Sequence, residues 1–194
     1  MWLRVQIALV LLVCDVSGHG ISSALVANRI YTETMAQIEL GSMMRHHNRF
    51  VMRSLGNSDF YFTLVAARLN RGGRSLEFAG AGHPPAMLVR PGQASRLLES
   101  QNAVLGLLAD AVDREPTIEV PIQAGDRVVI YTDGFTESFN PQAEMLGVDG
   151  FSTIVSETST LSLPNMKQEL TDRVAAWRSG PAADDMSLVV VGIS

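Results

Sequence analysis

Aspartates stand at three places where an apolar stretch of the sequence begins or ends. Asp15 follows the apolar run at residues 5–14, Asp133 follows a second apolar run, and Asp184 and Asp185 precede the apolar C-terminus. Ionised carboxylates that are brought together repel one another, and they are stable as a group only when a cation lies among them. The chemistry that this pattern indicates is therefore metal binding.

Each of these aspartates alone is typical of a turn or a helix cap. Together they indicate more, because all three positions fall at the ends of predicted strands. If the last strand runs antiparallel to the other two, its N-terminal end and their C-terminal ends share one rim of the sheet. Asp15, Asp133 and Asp184 are then expected to converge there. Oxygen ligands without a His or Cys cluster favour Mg²⁺ or Mn²⁺.

The elements that must position these residues follow from hydrophobic periodicity and turn residues. The first apolar run predicts a strand, and helical spacing predicts helices over 21–40 and 42–54, which Gly41 is expected to separate. Ser22 and Ser23 are candidate caps of the first helix. The predicted later strands are 60–69, 75–82, 86–90, 95–99, 117–122, 127–134 and 186–194, and the predicted later helices are 135–140, 147–157 and 164–178.

This order of elements predicts an α+β fold with antiparallel sheets. Pro121 marks its strand as an edge strand, where the missing N–H is tolerated. The length of 194 residues and the 46% hydrophobic content suit a single domain that spans residues 1–194.

Charge and cysteine content narrow the classes of function. The net charge is −5 and no basic residues are clustered, so a nucleic-acid partner is not expected. The single cysteine, Cys14, excludes a disulfide framework and favours a reducing compartment, so we predict a cytoplasmic protein.

The N-terminal run also resembles the core of a signal peptide, since Arg4 precedes it. It is shorter than the roughly 20 apolar residues that span a bilayer, so no membrane segment is predicted. A lipoprotein cleaved before Cys14 is the alternative, although Val13 is bulky where a small residue is expected. A core strand fits the Val, Ile and Leu content equally well, and the residues after it belong to the same unit.

Four stretches together resemble the metal-dependent protein phosphatase (PPM) family, in its bacterial SpoIIE-type or RsbU-type branch. They are "CDVSGHGISSAL", "FAGAGHPPAMLV", "GDRVVIYTDGFTESFNPQAEMLG" and "DDMSLVVV", in the family's order. The resemblance runs from about residue 5 to residue 193. It implies a four-layer α-β-β-α sandwich of two antiparallel sheets and hydrolysis of phosphoserine or phosphothreonine in a protein.

The resemblance also implies a catalytic centre with two Mn²⁺ or Mg²⁺ ions. Asp15 would bridge the ions, and the backbone carbonyl of Val16 would be a further ligand. Asp133 and Asp184 would bind one ion, whereas Asp185 is left open as a ligand or a neighbour of the ligands. Two such ions activate water and neutralise charge on the phosphoryl oxygens, so Cys14 is not needed as a nucleophile and is expected in the core.

The histidines and arginines are weaker candidates. His19 is a possible general acid, but the related histidine of the eukaryotic branch corresponds to Ser17 here. His83 is expected to fix a turn, and His46 and His47 to be exposed or to face a partner. Arg29 and Arg45 are candidates to bind the phosphate by charge alone.

The family usually carries an earlier Gly-Gly-Asp segment, which this chain begins too late to contain. We therefore expect an N-terminally truncated fold with weakened metal binding and reduced activity, or a missing section supplied by another chain. A truncated piece, a misassigned start codon and a real loss are the alternatives.

The branch commonly dephosphorylates a STAS-domain antagonist of an anti-sigma factor in partner-switching signalling. The resemblance therefore implies such a substrate, an upstream sensor or receiver domain, and a regulatory role for the helices at residues 20–54. The alternative is a phosphatase-like binding module that recognises the antagonist without turning it over.

Overall fold

The computed structural model describes residues 9–18, 20–34, 39–54, 60–69, 74–182 and 184–194. The chain forms two compact units. The first unit comprises Met1–His83 with Ser100–Ile122, and the second comprises Pro84–Glu99 with Gln123–Ser194. The prediction of a single domain over residues 1–194 stays a prediction.

The strands in chain order are β1 (Leu9–Val16), β2 (Phe62–Leu69), β3 (Ser75–Ala81), β4 (Ala86–Val89), β5 (Arg96–Leu98), β6 (Ile118–Pro121), β7 (Arg127–Tyr131) and β8 (Leu188–Gly192). The helices are α1 (Ile21–Thr34), α2 (Leu40–Ser54), α3 (Gly147–Thr158) and α4 (Leu163–Trp177), and a short 3-10 helix covers Asp133–Phe135. The predicted α+β fold with two antiparallel sheets is confirmed.

The first unit contains an antiparallel sheet in the order β1-β2-β3-β6. The core of this unit lies between the sheet and helices α1 and α2. Apolar residues of the two helices pack against alternate residues of the strands. Ile30 and Met44 are fully buried there, and Leu64 contributes from the middle of β2. The period-2 alternation of the strands leaves Asp15 on the opposite face from Cys14.

The second unit contains an antiparallel sheet in the order β5-β4-β7-β8. Helices α3 and α4 pack on it around Tyr131, Phe151 and Leu170, which are buried. Apolar residues on β7 pack against one face of each helix. This packing fixes the position of the end of β7, after which the chain continues to Asp133.

The prediction that Gly41 separates the two helices is wrong. Gly41 does not separate them, because it lies in the first turn of α2. A Cβ atom on Gly41 would lie 2.8 Å from Pro116, so the glycine allows close packing and does not end a helix. Ser23 donates its hydroxyl to the carbonyl oxygen of Ser17 at 3.1 Å and thereby ties the helix to the preceding loop.

Among the remaining elements, one prediction is confirmed and one is wrong. Strand β6, which contains Pro121, is the edge of its sheet as predicted. The predicted helix at 135–140 is wrong, since only the 3-10 turn ending at Phe135 forms there. The expectations for residues 1–8, the turn at 55–59 and the hairpin turn at 71–73 lie outside the described residues. Among the described helices, none has the length and apolar character that crossing a membrane requires.

Candidate metal centre

Asp133 follows β7 at a point held by aromatic packing. Tyr131 on one side of it and Phe135 on the other both contact Phe151 of α3, with ring centroids 4.6 Å and 5.3 Å apart. The chain between the two anchors turns through the 3-10 helix that begins at Asp133. Its carboxylate position is therefore set by core packing.

Thr132 joins this turn to the segment that carries Asp184. The Thr132 hydroxyl donates to the carbonyl oxygen of Asp185 at 2.8 Å and accepts from the backbone N–H of Ser187 at 2.8 Å. The backbone N–H of Thr132 donates to the carbonyl oxygen of Ser187 at 3.1 Å. Three hydrogen bonds thus hold the approach to β8 against the end of β7.

Gly134 allows the two segments to approach closely. A Cβ atom at this position would lie 2.7 Å from the carbonyl oxygen of Asp185 and 3.1 Å from the Cγ atom of Met186. Contacts shorter than 3.0 Å to backbone are not tolerated. The glycine of "TDG" therefore makes room for the segment at Asp185.

Asp133 and Asp184 interact electrostatically. Burial raises the pKa of Asp133, and the nearby charge of Asp184 raises it further. The Oδ1 atom of Asp133 is buried and has no hydrogen-bond partner among the described residues. Asp184 is exposed, and its Oδ1 accepts the backbone N–H of Asp185 at 2.7 Å. Asp185 supplies its carbonyl oxygen to Thr132, while its side chain is exposed.

These features fit a divalent cation, because an unpaired buried carboxylate oxygen next to a second carboxylate is costly without one. Oxygen donors of this kind suit Mg²⁺ or Mn²⁺. Within the part of the chain that the structure describes, no group of three or more His, Cys, Asp or Glu side chains is arranged to hold an ion. Asp133 and Asp184 therefore form a pair of candidate ligands.

Asp15 belongs to the first unit. It lies on β1, which forms one edge of its sheet, and it pairs with Thr63 of β2. The expectation that Asp15 shares a rim of one sheet with Asp133 and Asp184 is wrong, because β7 and β8 belong to the other sheet. Strands β7 and β8 are antiparallel, so the condition under which Asp133 and Asp184 are expected to approach one another is met. Val16, the other predicted ligand, is the last residue of β1.

The loop after β1 is shaped by backbone contacts. The backbone N–H of Ser17 donates to the carbonyl oxygen of Tyr61 at 2.9 Å, and the Ser17 hydroxyl accepts from the Tyr61 N–H at 3.0 Å. Gly18 and Gly20 adopt positive φ angles of 81° and 88°, which favour glycine. The predicted general acid, His19, lies outside the described residues.

His83 lies close to Asp15 along the first sheet. Its Nδ1 atom is 2.9 Å from the hydroxyl of Thr63, which is the cross-strand neighbour of Asp15. Its carbonyl oxygen accepts the hydroxyl of Ser100 at 2.8 Å. Both contacts tie the turn after β3 to neighbouring segments, in agreement with the predicted turn-fixing role.

The remaining candidates differ in their surroundings. His47 is fully buried and packs edge-on against Phe62, so the prediction that it is exposed or faces a partner is wrong. The reason is that α2 directs this position into the core. Arg29 stacks over Phe50, with its guanidinium carbon 5.4 Å from the ring centroid. Cys14 packs against the core, and burial together with Asp15 raises its pKa to about 11.

Comparison with known proteins gives a consistent family. The family model described as Stage II sporulation protein E (SpoIIE) matches residues 7–194. The phosphoserine phosphatase RsbP of Bacillus subtilis is 25% identical over 131 residues, covering 64% of this chain and 32% of that protein. The phosphoserine phosphatase RsbU of the same organism is 23% identical over 184 residues, covering 92% of this chain and 54% of that protein.

The fold is also shared with solved structures. The SiaA-PP2C domain of Pseudomonas aeruginosa matches with a TM-score of 0.83 at 20% identity, covering 95% of this chain and 76% of that one. The chain spans about a third of RsbP and about half of RsbU. The similarity therefore concerns one part of each of these relatives.

Proposed function

Because this chain belongs to the Stage II sporulation protein E family, we propose that it is a metal-dependent phosphatase acting on phosphoserine or phosphothreonine in a protein. The observation that carries the proposal is the buried, unpaired Oδ1 atom of Asp133 beside Asp184. The names of RsbP and RsbU, both phosphoserine phosphatases, support the same reaction.

In this proposal four residues hold two Mn²⁺ or Mg²⁺ ions: the carboxylates of Asp15, Asp133 and Asp184 and the carbonyl oxygen of Val16. When bound, such ions supply an activated water and neutralise charge on the phosphoryl oxygens. Asp15, Asp133 and Asp184 are accordingly the proposed catalytic residues. The reaction requires no thiol nucleophile, which agrees with the raised pKa of Cys14.

The chain's own residues position these ligands. Packing of Phe135 and Tyr131 on Phe151 keeps Asp133 at a fixed place after β7. Thr132 and Gly134 hold the segment of Asp184 against that place. Because the segments of Asp133 and Asp184 are held together before any ion binds, less ordering is needed on binding, and this favours affinity.

The proposed substrate is a phosphorylated STAS-domain antagonist of an anti-sigma factor, in partner-switching signalling in the cytoplasm. The resemblance to the RsbU-type branch supports this substrate, and the lone unpaired cysteine supports a reducing compartment. An upstream sensor or receiver domain as a partner is supported by the greater length of RsbU, of which this chain matches 54%.

The test is release of phosphate from a phosphoserine peptide as Mn²⁺ is added. We expect phosphate release to depend on Mn²⁺ and to fall at least about 100-fold in Asp133→Asn, as is typical when a transition-state electrostatic contribution is lost. Asp172→Asn is the matched control, since its exposed carboxylate only accepts a hydrogen bond from Gln168. Equal rates in Asp133→Asn and the wild type would refute the proposal.

A second candidate is a phosphatase-like module that binds the phosphoprotein without turnover. The observation in its favour is that the described residues contain no ready-made group of three metal-binding side chains. The two functions differ in one result. Tight binding of a phosphoserine peptide with no phosphate release at saturating Mn²⁺ would support the binding module.

A further inference from the structure

A groove runs along α4 beside β8 in the second unit. Its volume is about 310 Å³. One side is a stripe on the helix, formed by Lys167, Thr171, Ala175 and Arg178. The other side is formed by Met186 and Leu188, with Phe135 also lining the groove. These four residues form one stripe because residues three or four apart lie on the same helix face.

The two cations of the groove have no carboxylate partner among the described residues. The guanidinium of Arg178 contacts the sulfur of Met186 at 3.0 Å, and a thioether is only a weak acceptor. Lys167 makes no ion pair within the described chain. By contrast, Arg173 on another face of α4 pairs with Glu157 at 2.6 Å. The groove therefore presents uncompensated positive charge in a protein whose net charge is −5.

Helix electrostatics do not account for both cations. Arg178 caps the C-terminus of α4, where the helix dipole favours a positive charge. Lys167 lies in the N-terminal half of the same helix, where that dipole gives a cation no benefit. A ligand with negative charge along its length accounts for both residues.

The dimensions of the groove suit an extended peptide. Lys167 and Arg178 are eleven residues apart on the helix, which corresponds to about 16 Å at the usual rise. An extended segment of about five residues has this length. The apolar side formed by Met186 and Leu188 would contact its side chains, and β8 is the last strand of its sheet.

The groove reaches the candidate metal centre through Met186. The Cγ atom of Met186 would lie 3.1 Å from a Cβ atom on Gly134, which follows Asp133. Met186 itself comes two residues after Asp184. A peptide in the groove would therefore pass beside the segment that carries Asp184, next to the turn that carries Asp133.

We propose that the groove between α4 and β8 binds an extended acidic segment of the phosphorylated protein substrate, with Lys167 and Arg178 contacting its carboxylates. This inference rests on the proposed phosphatase function. It adds a docking site that selects substrates by the charge of the residues next to the phosphorylated one.

The test measures binding of two fluorescent ten-residue peptides without phosphate at low ionic strength. One contains several Asp and Glu residues, and the other has Asn and Gln in their place. We expect the acidic peptide to bind more tightly. In Lys167→Gln/Arg178→Gln its Kd should rise about 2- to 30-fold, as expected for loss of two surface charge pairs, while Arg96→Gln should leave it unchanged. Arg96 is exposed on β5, at the other edge of the sheet.

Two results would overturn the docking site: equal binding of both peptides to the wild type, or the same Kd for the acidic peptide in the wild type and the double variant. The single variant Lys167→Gln controls for misfolding of the double variant. Lys167 is exposed on the helix, so its replacement should not disturb folding. The Kd for the acidic peptide should still rise in this variant. Failure of phosphate release with intact, charge-dependent peptide binding would refute the phosphatase function and leave the groove assignment standing.

Discussion

The hydroxyl of Thr132 donates a hydrogen bond of 2.8 Å to the carbonyl oxygen of Asp185, across the gap between β7 and the segment before β8. The same hydroxyl accepts the backbone N–H of Ser187. Because Thr132 is buried, its hydroxyl replaces water for two backbone groups at once. One side chain thus holds the two carboxylate-bearing segments together.

Thr132→Val should destabilise the protein by about 1–3 kcal/mol, since it leaves two backbone groups of the opposite segment without their partner. It should also weaken Mn²⁺ binding by loosening Asp184 relative to Asp133. Urea unfolding and calorimetric titration measure the two effects. Thr132→Ser keeps the hydroxyl and should restore most of the Mn²⁺ affinity; an equal loss in both variants would argue against this role.

In the absence of metal, the Asp133→Asn variant should be more stable than the wild type at neutral pH. The pKa of Asp133 is raised in the folded state by burial and by Asp184, so the ionised carboxylate disfavours the fold once the pH exceeds that folded pKa. With EDTA at pH 7 we expect Tm to increase by a few degrees. The gain should disappear below the unfolded-state pKa of about 3.9. A lower Tm at pH 7 would contradict the assigned environment.

Asp126 should show the opposite dependence on pH. Burial alone would raise its pKa, but hydrogen bonds from Arg90 and from the Gln123 N–H hold the pKa below its usual value. Its contribution to stability is present above the unfolded-state pKa and is lost as the pH falls through the folded pKa. Asp126→Asn should therefore lower the free energy of unfolding at pH 7 more than at pH 3, as urea titrations at both pH values would measure. Equal losses at the two pH values would disprove this linkage.

Cys14 should react slowly with iodoacetamide in the folded protein. Its pKa of about 11, raised by burial and then by Asp15, leaves little thiolate at pH 7.5. Mass spectrometry in native buffer and in urea gives the comparison. We expect alkylation to be at least about tenfold faster in urea. A fast native reaction would show that Cys14 is neither buried nor influenced by Asp15 in this way.

The pattern of apolar residues along the sequence predicts most of the strands of the fold. Local apolar patterns predict β7 and β8, and Asp133 and Asp184 are expected to approach one another if these strands are antiparallel. The structure meets that condition. The apolar patterns could not assign Asp15 to a sheet, because periodicity identifies a strand and not its neighbours. In the structure β1 pairs with β2 in the other sheet.

Local patterns do not identify residues whose role depends on tertiary contacts. The sequence predicts Gly41 as a helix break, but its lack of a side chain allows close contact with Pro116, which is distant in sequence. The sequence predicts that His47 is exposed or faces a partner, but α2 places it against Phe62. No local pattern reports either contact. The roles of Thr132 and the α4 groove likewise depend on residues more than forty positions away or on the packing of a helix beside a strand.

The central claim is that Asp133 and Asp184 bind the same divalent ion, because the charge of Asp184 already acts on the buried carboxylate of Asp133. The most direct test is calorimetric titration of Mn²⁺ into the wild type, Asp133→Asn, Asp184→Asn and the double variant. We predict at least about tenfold weaker Mn²⁺ binding in each single variant, and a double variant less impaired than the sum of the two, as for residues that share an ion. Unchanged Mn²⁺ affinity in Asp184→Asn, or strictly additive losses, would contradict the account.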